Sequence, residues 1–88
     1  MNRDIAKVRI HPHALERMQE RGATKEEVIV AVRRGEKFRA KYGRTGFRHN
    51  YAYGRQWRGR RYSNKQVEVY TVKEAKNWLA ISVMVKYF

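Results

Sequence analysis

The apolar residues of this chain change their spacing once, near Lys37, and this change limits the folds that the chain can adopt. Before Lys37, they recur at three- and four-residue intervals in the segments 11–22 and 24–35, as in amphipathic helices. After Lys37, apolar and polar residues alternate along several stretches, as in β-strands. The sequence therefore predicts a helical hairpin followed by a sheet.

Both helices have recognisable ends. Pro12 suits the first turn of the first helix, where a missing N–H costs little, and Gly22 suits its end. Thr24 and Glu27 form a capping box at the start of the second helix, which we expect to end at Gly35. The residues expected on the buried sides are Ala14, Leu15 and Met18 in the first helix and Val28, Ile29 and Val32 in the second.

The alternating stretches predict a sheet in which consecutive strands pair, because their connections are short. We expect a short edge strand at 5–10, strands at 38–42, 47–53, 66–73 and 78–87, and a basic loop at 54–61. The expected core face of the last strand consists of Leu79, Ile81, Val83, Val85 and Tyr87. The predicted fold is α+β. It is a single domain, residues 1–88, with two N-terminal helices packed on one face of an antiparallel β-meander of about four strands, and a short N-terminal edge strand.

The charge of the chain indicates a polyanionic partner. Lysine and arginine total 21 against 8 acidic residues, which gives a net charge of +13. Nucleic acid is the first candidate, an anionic membrane surface the second and an acidic protein the third. The sequence has no cysteine, no signal-peptide pattern and no apolar run of membrane-spanning length. We therefore expect a complete, soluble cytoplasmic protein without a membrane partner.

Basic and aromatic residues concentrate in the segment 37–65. It holds ten lysines and arginines, seven of the eleven aromatic residues and no acidic residue. Basic side chains contact phosphates and aromatic rings stack on unpaired bases, so the segment favours RNA binding. The alternative is a set of ordinary strand tyrosines beside a solvated basic face, but ten uncompensated cations favour a polyanion. The expected nucleic-acid-binding residues are Lys41, Arg44, Arg48, Tyr51, Tyr53, Arg55, Trp57, Arg58, Arg60 and Arg61.

A cationic stripe lies on the first helix, where His13, Arg17 and Arg21 are four residues apart. Metal-independent RNA cleavage needs a base for the 2′-hydroxyl, an acid for the 5′-oxygen and cations for the phosphate. His13 is a candidate base or acid, and the two arginines are candidate phosphate clamps. The alternative is a solvated helix face on which Arg17 pairs with Glu20.

Other kinds of site receive little support from the sequence. Thiol catalysis is excluded by the absence of cysteine, and neither serine lies in a nucleophile-elbow context. His11 and His13 have a spacing that can bind zinc on a strand, but Pro12 and the helix start break that geometry, and no third clear ligand appears. We therefore expect neither a metal nor a cofactor.

The run His13-Ala14-x-x-Arg17-Met18-x-x-Arg21-Gly22 resembles the N-terminal signature of a bacterial and archaeal family of domains of unknown function. The valine-rich strands 67–72 and 79–83 resemble the end of the same domain. That family in turn resembles the RelE-like and ParE-like toxins, in which N-terminal helices pack on an antiparallel sheet. The resemblance implies a ribonuclease toxin with mRNA or tRNA as substrate and an acidic antitoxin as partner.

The same resemblance assigns roles to residues. It carries over His13, Arg17 and Arg21 as catalytic residues, and Ser82 stands where the last strand of the family often has a threonine facing the cleft. We therefore expect an RNA-targeting protein, a metal-independent endoribonuclease of RelE-like type. Two alternatives stay open: a non-catalytic RNA- or DNA-binding module, and a positive face that holds an acidic protein.

Overall fold

A short strand comes before a helical hairpin, which is followed by one short strand and three long strands. The computed structural model describes residues 7–88. Its elements are β1 (Val8–Ile10), α1 (Pro12–Arg21), α2 (Lys25–Arg34), β2 (Glu36–Arg39), a 3₁₀ turn (Lys41–Gly43), β3 (Thr45–Trp57), β4 (Arg60–Glu74) and β5 (Asn77–Tyr87). The predicted α+β class and the N-terminal position of both helices are confirmed.

The described strands form a five-stranded sheet of order β1-β5-β4-β3-β2. β2, β3, β4 and β5 pair antiparallel with their neighbours in the chain, as short connections predict. β1 pairs in parallel with β5, with Val8 beside Trp78 and Ile10 beside Ala80. The sheet is therefore mixed and five-stranded, which corrects the prediction of an antiparallel meander of about four strands. Within the predicted edge strand, β1 is confirmed, and residues 5 and 6 lie outside the described residues.

Local caps explain where the helices begin and end. In α1, the Nδ1 atom of His11 accepts a hydrogen bond of 3.1 Å from the His13 N–H, and Gly22 ends the helix in the left-handed region. In α2, Thr24 and Glu27 form the predicted capping box. The buried residues of the two helices are Ala14, Met18, Val28, Ala31 and Val32. The prediction that Leu15 is buried was wrong, since only Ala14 and Met18, one turn apart, reach the core and Leu15 is 41% exposed.

The strand predicted at 38–42 begins and ends earlier, as β2. After Ala40 the chain turns, with Tyr42 at a φ of 62° and Gly43 at a φ of 70°. Two consecutive residues in the left-handed region cannot continue a strand. The turn leaves Tyr42 at the surface, where the residue is 87% exposed.

The basic segment 54–61 is not the predicted loop. β3 and β4 continue through it and meet at a two-residue turn, Arg58-Gly59, in which both residues have positive φ. Such a turn matches the right-handed twist of a hairpin. Glycine and dense charge suggested irregular structure, but Gly54 lies at a register shift within β3 and does not interrupt the hairpin.

A β-bulge interrupts the alternation of β5. Thr71 pairs with Ala80, whereas the preceding Tyr70 pairs with Ser82, so Ile81 is the extra residue. An extra residue shifts the alternation of side chains by one position. A residue before the bulge and a residue after it therefore point to the same face of the sheet when their positions differ by an odd number.

The bulge corrects the predicted core face in the first half of β5. There, Trp78 and Ala80 are buried, rather than Leu79 and Ile81. Beyond the bulge, Val83 is buried as predicted. A period of two, applied along the whole strand, could not reveal this reversal.

The pairing register defines two faces of the sheet. One face carries Phe47, Val67, Val69 and Val83, which form a single core with the buried residues of α1 and α2. The other is called the open face below. It consists of three rows of residues that are neighbours across the strands: Phe38, Gly46, Tyr70 and Ser82; Glu36, Arg48, Glu68 and Met84; and Asn50, Gln66 and Lys86. Since α1 and α2 pack on the first face, neither described helix covers the open face.

Candidate functional site

His13 and Ser82, which the family resemblance assigns to the site, line the same shallow depression. Its volume is about 390 Å³, and its lining residues are His11, His13, Arg44, Ile81 and Ser82. The His11 N–H donates a hydrogen bond of 2.9 Å to the Ala80 carbonyl, which holds the start of α1 against the bulge in β5. The parallel pairing of β1 with β5 and the bulge therefore create this site together. We call it the phosphate depression, after the ligand that we propose for it below.

The chemistry of the depression suits a phosphate group. A guanidinium such as that of Arg44 binds phosphate oxygens in pairs, and the Ser82 hydroxyl can donate one further hydrogen bond. Imidazoles can accept or donate a proton near neutral pH. Nδ1 of His11 accepts the His13 N–H, so the neutral His11 ring carries its proton on Nε2, which can donate a hydrogen bond to a ligand oxygen. The side chain of His13 is exposed in the first turn of α1.

The structure does not bring Arg17 and Arg21 to the phosphate depression. Arg17 Nη1 lies 3.2 Å from a carboxylate oxygen of Glu20, which is the pairing that the solvated-face alternative predicts. Arg21 Nη1 donates a hydrogen bond of 2.6 Å to the carbonyl oxygen of Val83. The three residues of the cationic stripe on α1 therefore have different surroundings. Arg17 forms an exposed ion pair, Arg21 contacts β5, and only His13 lines the depression.

Aromatic residues near the hairpin tip contact one another. Trp57 stacks on Tyr87, with ring centroids 5.0 Å apart and planes 16° apart. Tyr53 and Tyr62 lie 5.2 and 5.6 Å from the same Tyr87 ring. We call these four residues the aromatic cluster. Trp57 also packs against Gly22, where a Cβ atom would overlap the indole. Trp57 thus joins the hairpin to the end of α1, and Tyr53 packs on Tyr87, although both were predicted to stack on RNA bases.

Three exposed arginines lie over the aromatic cluster. The pairs are Arg55 on Tyr53, Arg58 on Trp57 and Arg60 on Tyr62, with guanidinium carbons 4.7, 5.1 and 5.8 Å from the ring centroids. Arg58 also donates a hydrogen bond of 2.7 Å to the Glu20 carbonyl. Cation–π contacts of this kind hold the guanidinium groups in place. The three arginines form a basic surface, the hairpin patch, which does not line the phosphate depression.

Two further residues predicted to bind nucleic acid make internal contacts. Arg48 lies 3.5 Å from Glu36 and 3.9 Å from Glu68, so carboxylates already balance its charge. The Tyr51 hydroxyl donates a hydrogen bond of 2.9 Å to the Glu27 carbonyl. Burial, and then the charge of Glu27, raise the pKa of Tyr51 to about 12. Both residues contribute to the fold through these contacts.

The remaining predicted contacts, Lys41, Arg44 and Arg61, are exposed. Of these, Arg44 lines the phosphate depression. The sequence did not single out His11 for such a role, although His11 precedes Pro12 and therefore occupies the N-cap position of the helix. The sequence analysis also did not identify Tyr42 as an exposed residue of a turn, although Gly43 next to it is a residue type typical of turns.

Comparison with known families covers almost the whole described chain. Residues 10–85 match the model of a family described as a domain of unknown function, DUF4258. The chain belongs to the DUF4258 family. The match includes every lining residue of the phosphate depression. No curated protein and no solved structure matches the chain. The resemblance of this DUF4258 domain to RelE-like toxins therefore stays a prediction.

Two further findings concern residues 7–88. Neither described helix has the length and apolar character needed to cross a lipid bilayer. In the same part of the chain, no three or more His, Asp or Glu side chains are grouped as metal ligands.

Proposed function

We propose that this protein is a metal-independent endoribonuclease resembling RelE-like toxins, acting on mRNA or tRNA in the cytoplasm, with an acidic antitoxin as its protein partner. The observation that carries this proposal is the phosphate depression. It joins two imidazoles, a guanidinium and a hydroxyl, with His13 and Ser82 among them. The net charge of +13 supports a polyanionic substrate.

The proposed reaction is attack of a ribose 2′-oxygen on the adjacent phosphorus. The new P–O2′ bond forms while the P–O5′ bond breaks, which gives a 2′,3′-cyclic phosphate and a 5′-hydroxyl. One imidazole accepts the 2′-hydroxyl proton, and a second, as imidazolium, donates a proton to the departing 5′-oxygen. His13 is the candidate base and His11 the candidate acid. As an imidazolium, His11 carries a proton on Nδ1 as well as on Nε2, so in that state it no longer accepts the His13 N–H. After one turnover the two imidazoles have exchanged protonation states.

Charge develops on the non-bridging oxygens in this transition state. Arg44 is the lining residue that can balance it, and the Ser82 hydroxyl donates a further hydrogen bond. This assignment places the phosphate clamp at Arg44 rather than at Arg17 and Arg21, where the spacing on the first helix had predicted it. Arg21 instead positions α1 through its contact with β5.

The test is cleavage of unstructured and structured RNA by the purified protein in EDTA. We expect products with 2′,3′-cyclic phosphate ends, and we expect His13→Gln to lower the rate by at least about 100-fold. The matched control is His49→Gln, because His49 does not line the depression and packs against Tyr51. Absence of cleavage, or equal rates for wild type and His13→Gln, would contradict the proposal.

The hairpin patch favours a second candidate function, a non-catalytic RNA- or DNA-binding module. Arg55, Arg58 and Arg60 present positive charge outside the phosphate depression. This alternative predicts binding without turnover, with a log–log salt slope of about −0.7 per phosphate contact for single strands and about −0.9 for B-DNA. The double variant Arg55→Glu/Arg60→Glu should then weaken binding, and unchanged affinity would exclude the patch as the contact surface.

A further inference from the structure

A second depression adjoins the phosphate depression on the open face. Its volume is about 550 Å³; Phe38, Tyr42, Tyr70 and Met84 line it, and it shares Arg44 and Ser82 with the first. The two depressions therefore meet at Arg44 and Ser82. The first offers groups that bind an anion, whereas the second offers mainly carbon and aromatic surface.

The aromatic side chains of the second depression are held in place by their neighbours. Phe38 lies across Gly46, where a Cβ atom would overlap the ring, so the absence of a side chain at Gly46 creates the space for it. Tyr70 meets Phe38 edge to face, with centroids 6.0 Å apart and planes 89° apart. The Tyr70 hydroxyl donates a hydrogen bond of 2.9 Å to Glu68, which fixes its ring. Met84 adds a polarisable side chain that adapts to planar ligands.

Tyr42 also lines the second depression. It is 87% exposed, although its φ of 62° is one that residues with a Cβ rarely adopt. Little burial compensates for this conformation, and backbone outliers of this kind concentrate at ligand-binding sites. The guanidinium of Arg44 lies 5.5 Å from the centre of the Tyr42 ring, and Arg44 also lines the phosphate depression.

We infer that the second depression is a nucleobase subsite, in which the base next to the scissile phosphate stacks on Tyr42. A nucleotide has a planar ring system beside an anionic phosphate, and the open face offers aromatic side chains beside a cationic depression in the same order. Arg39 and Lys41 also line the subsite, and its described lining includes no carboxylate. This inference rests on the proposed RNA-targeting function and identifies the part of the substrate that this surface contacts.

The test measures binding separately from cleavage. The probe is a labelled hexamer of 2′-O-methyl uridine, which cannot be cleaved by 2′-oxygen attack, and its partner is an abasic hexamer with the same backbone. Affinities are measured by fluorescence anisotropy at one salt concentration. We expect Tyr42→Ala to weaken binding of the uridine hexamer about tenfold and Tyr42→Phe to retain binding. We expect Tyr42→Ala to bind the abasic hexamer as wild type does.

Phe88→Ala is the matched control, since Phe88 is an exposed aromatic residue, at 55% exposure, that does not line either depression. Unchanged uridine-hexamer binding by Tyr42→Ala overturns the inference. Equal weakening for both hexamers also overturns it, because the effect of Tyr42 then does not depend on a base. The surface would in that case bind polyanions in general, which is also what binding of an acidic protein would need. Failure of the wild type to bind either probe overturns the inference together with RNA targeting. If the Tyr42 effect appears but no RNA is cleaved, the subsite stands and the nuclease proposal fails.

Discussion

The guanidinium of Arg21 donates a hydrogen bond of 2.6 Å to the carbonyl oxygen of Val83. β1 pairs with β5 only from Trp78 to Ala80, so Val83 lies beyond the residues that β1 covers. Backbone carbonyls at the edge of a sheet need a partner, and α1 supplies one through Arg21. A residue that the family resemblance assigned to catalysis thus joins α1 to the sheet.

Arg21→Ala should lower the free energy of unfolding by about 1.5–3 kcal/mol, because a partly buried hydrogen bond from a charged donor is lost. Urea unfolding measures this change. The control is Arg17→Ala, whose exposed pair with Glu20 should contribute no more than about 0.5 kcal/mol. If Arg21→Ala abolishes RNA cleavage without lowering stability, Arg21 contacts substrate and the positioning role is wrong.

The sequence predicted α2 well because its signals are local. Thr24, Glu27 and Gly35 mark its ends through contacts within a few residues. The bulge at Ile81 has no such signal, since Ile81 is as apolar as its neighbours and its place is set by pairing with β4. The prediction from alternation alone therefore assigned the side chains in the first half of β5 to the wrong faces of the sheet.

Contacts between distant parts of the chain also limited what the sequence could predict about the candidate site. His13 and Ser82 could be named from the sequence, but their meeting depends on β1 pairing with β5, at opposite ends of the chain. The aromatic residues of β3 were identified as a group, but whether a ring meets a base or another ring depends on tertiary packing. Trp57 on Tyr87 shows the second outcome, and the exposed Tyr42 is the candidate for the first.

A buried ion pair joins β4 to α2. Lys65 Nζ lies 2.8 Å from a carboxylate oxygen of Glu27 and 2.5 Å from the Gly22 carbonyl, and the Lys65 side chain is 4% exposed. Lys65→Met should lower the free energy of unfolding by about 3 kcal/mol, because the Glu27 carboxylate loses its cationic partner. Chemical denaturation tests this value.

Lys86→Met is the matched control for that experiment. Its side chain is 62% exposed and lies 3.8 Å from Glu68, so the same substitution there should change stability by less than about 1 kcal/mol. The double variant Glu27→Gln/Lys65→Met should be more stable than the sum of the single changes predicts. Additive effects would show that the two side chains do not stabilise one another.

Stability should fall at alkaline pH through Tyr51 and Tyr87. Burial is the main cause that raises the pKa of each tyrosine from 10.0 to about 12. Below pH 10 both tyrosines are protonated in the folded and unfolded states, so their full contribution to stability is present. Between about pH 10 and 12 the unfolded state releases protons that the folded state keeps, and the free energy of unfolding decreases. Urea midpoints at pH 8 and pH 11 measure this decrease.

Tyr51→Phe/Tyr87→Phe should reduce that alkaline loss. The double variant also loses hydrogen bonds to the carbonyls of Glu27 and Arg21, so its stability at pH 8 is lower and only the difference between the two pH values is compared. A decrease between pH 8 and pH 11 as large as that of wild type would contradict the role of these two hydroxyls.

Replacement of Arg44 tests whether the phosphate depression is a catalytic site or part of a general basic surface. Arg44→Ala should lower kcat of RNA cleavage about 100- to 1,000-fold, because a cation aimed at developing phosphate charge acts mainly in the transition state. Arg61→Ala is the control, since Arg61 is exposed near the hairpin tip and does not line the depression. Its loss should raise KM slightly and change the salt slope by no more than about 0.7, with kcat unchanged. If the two variants show the same small rise in KM, Arg44 only adds positive charge, and the transition-state role assigned to it is wrong.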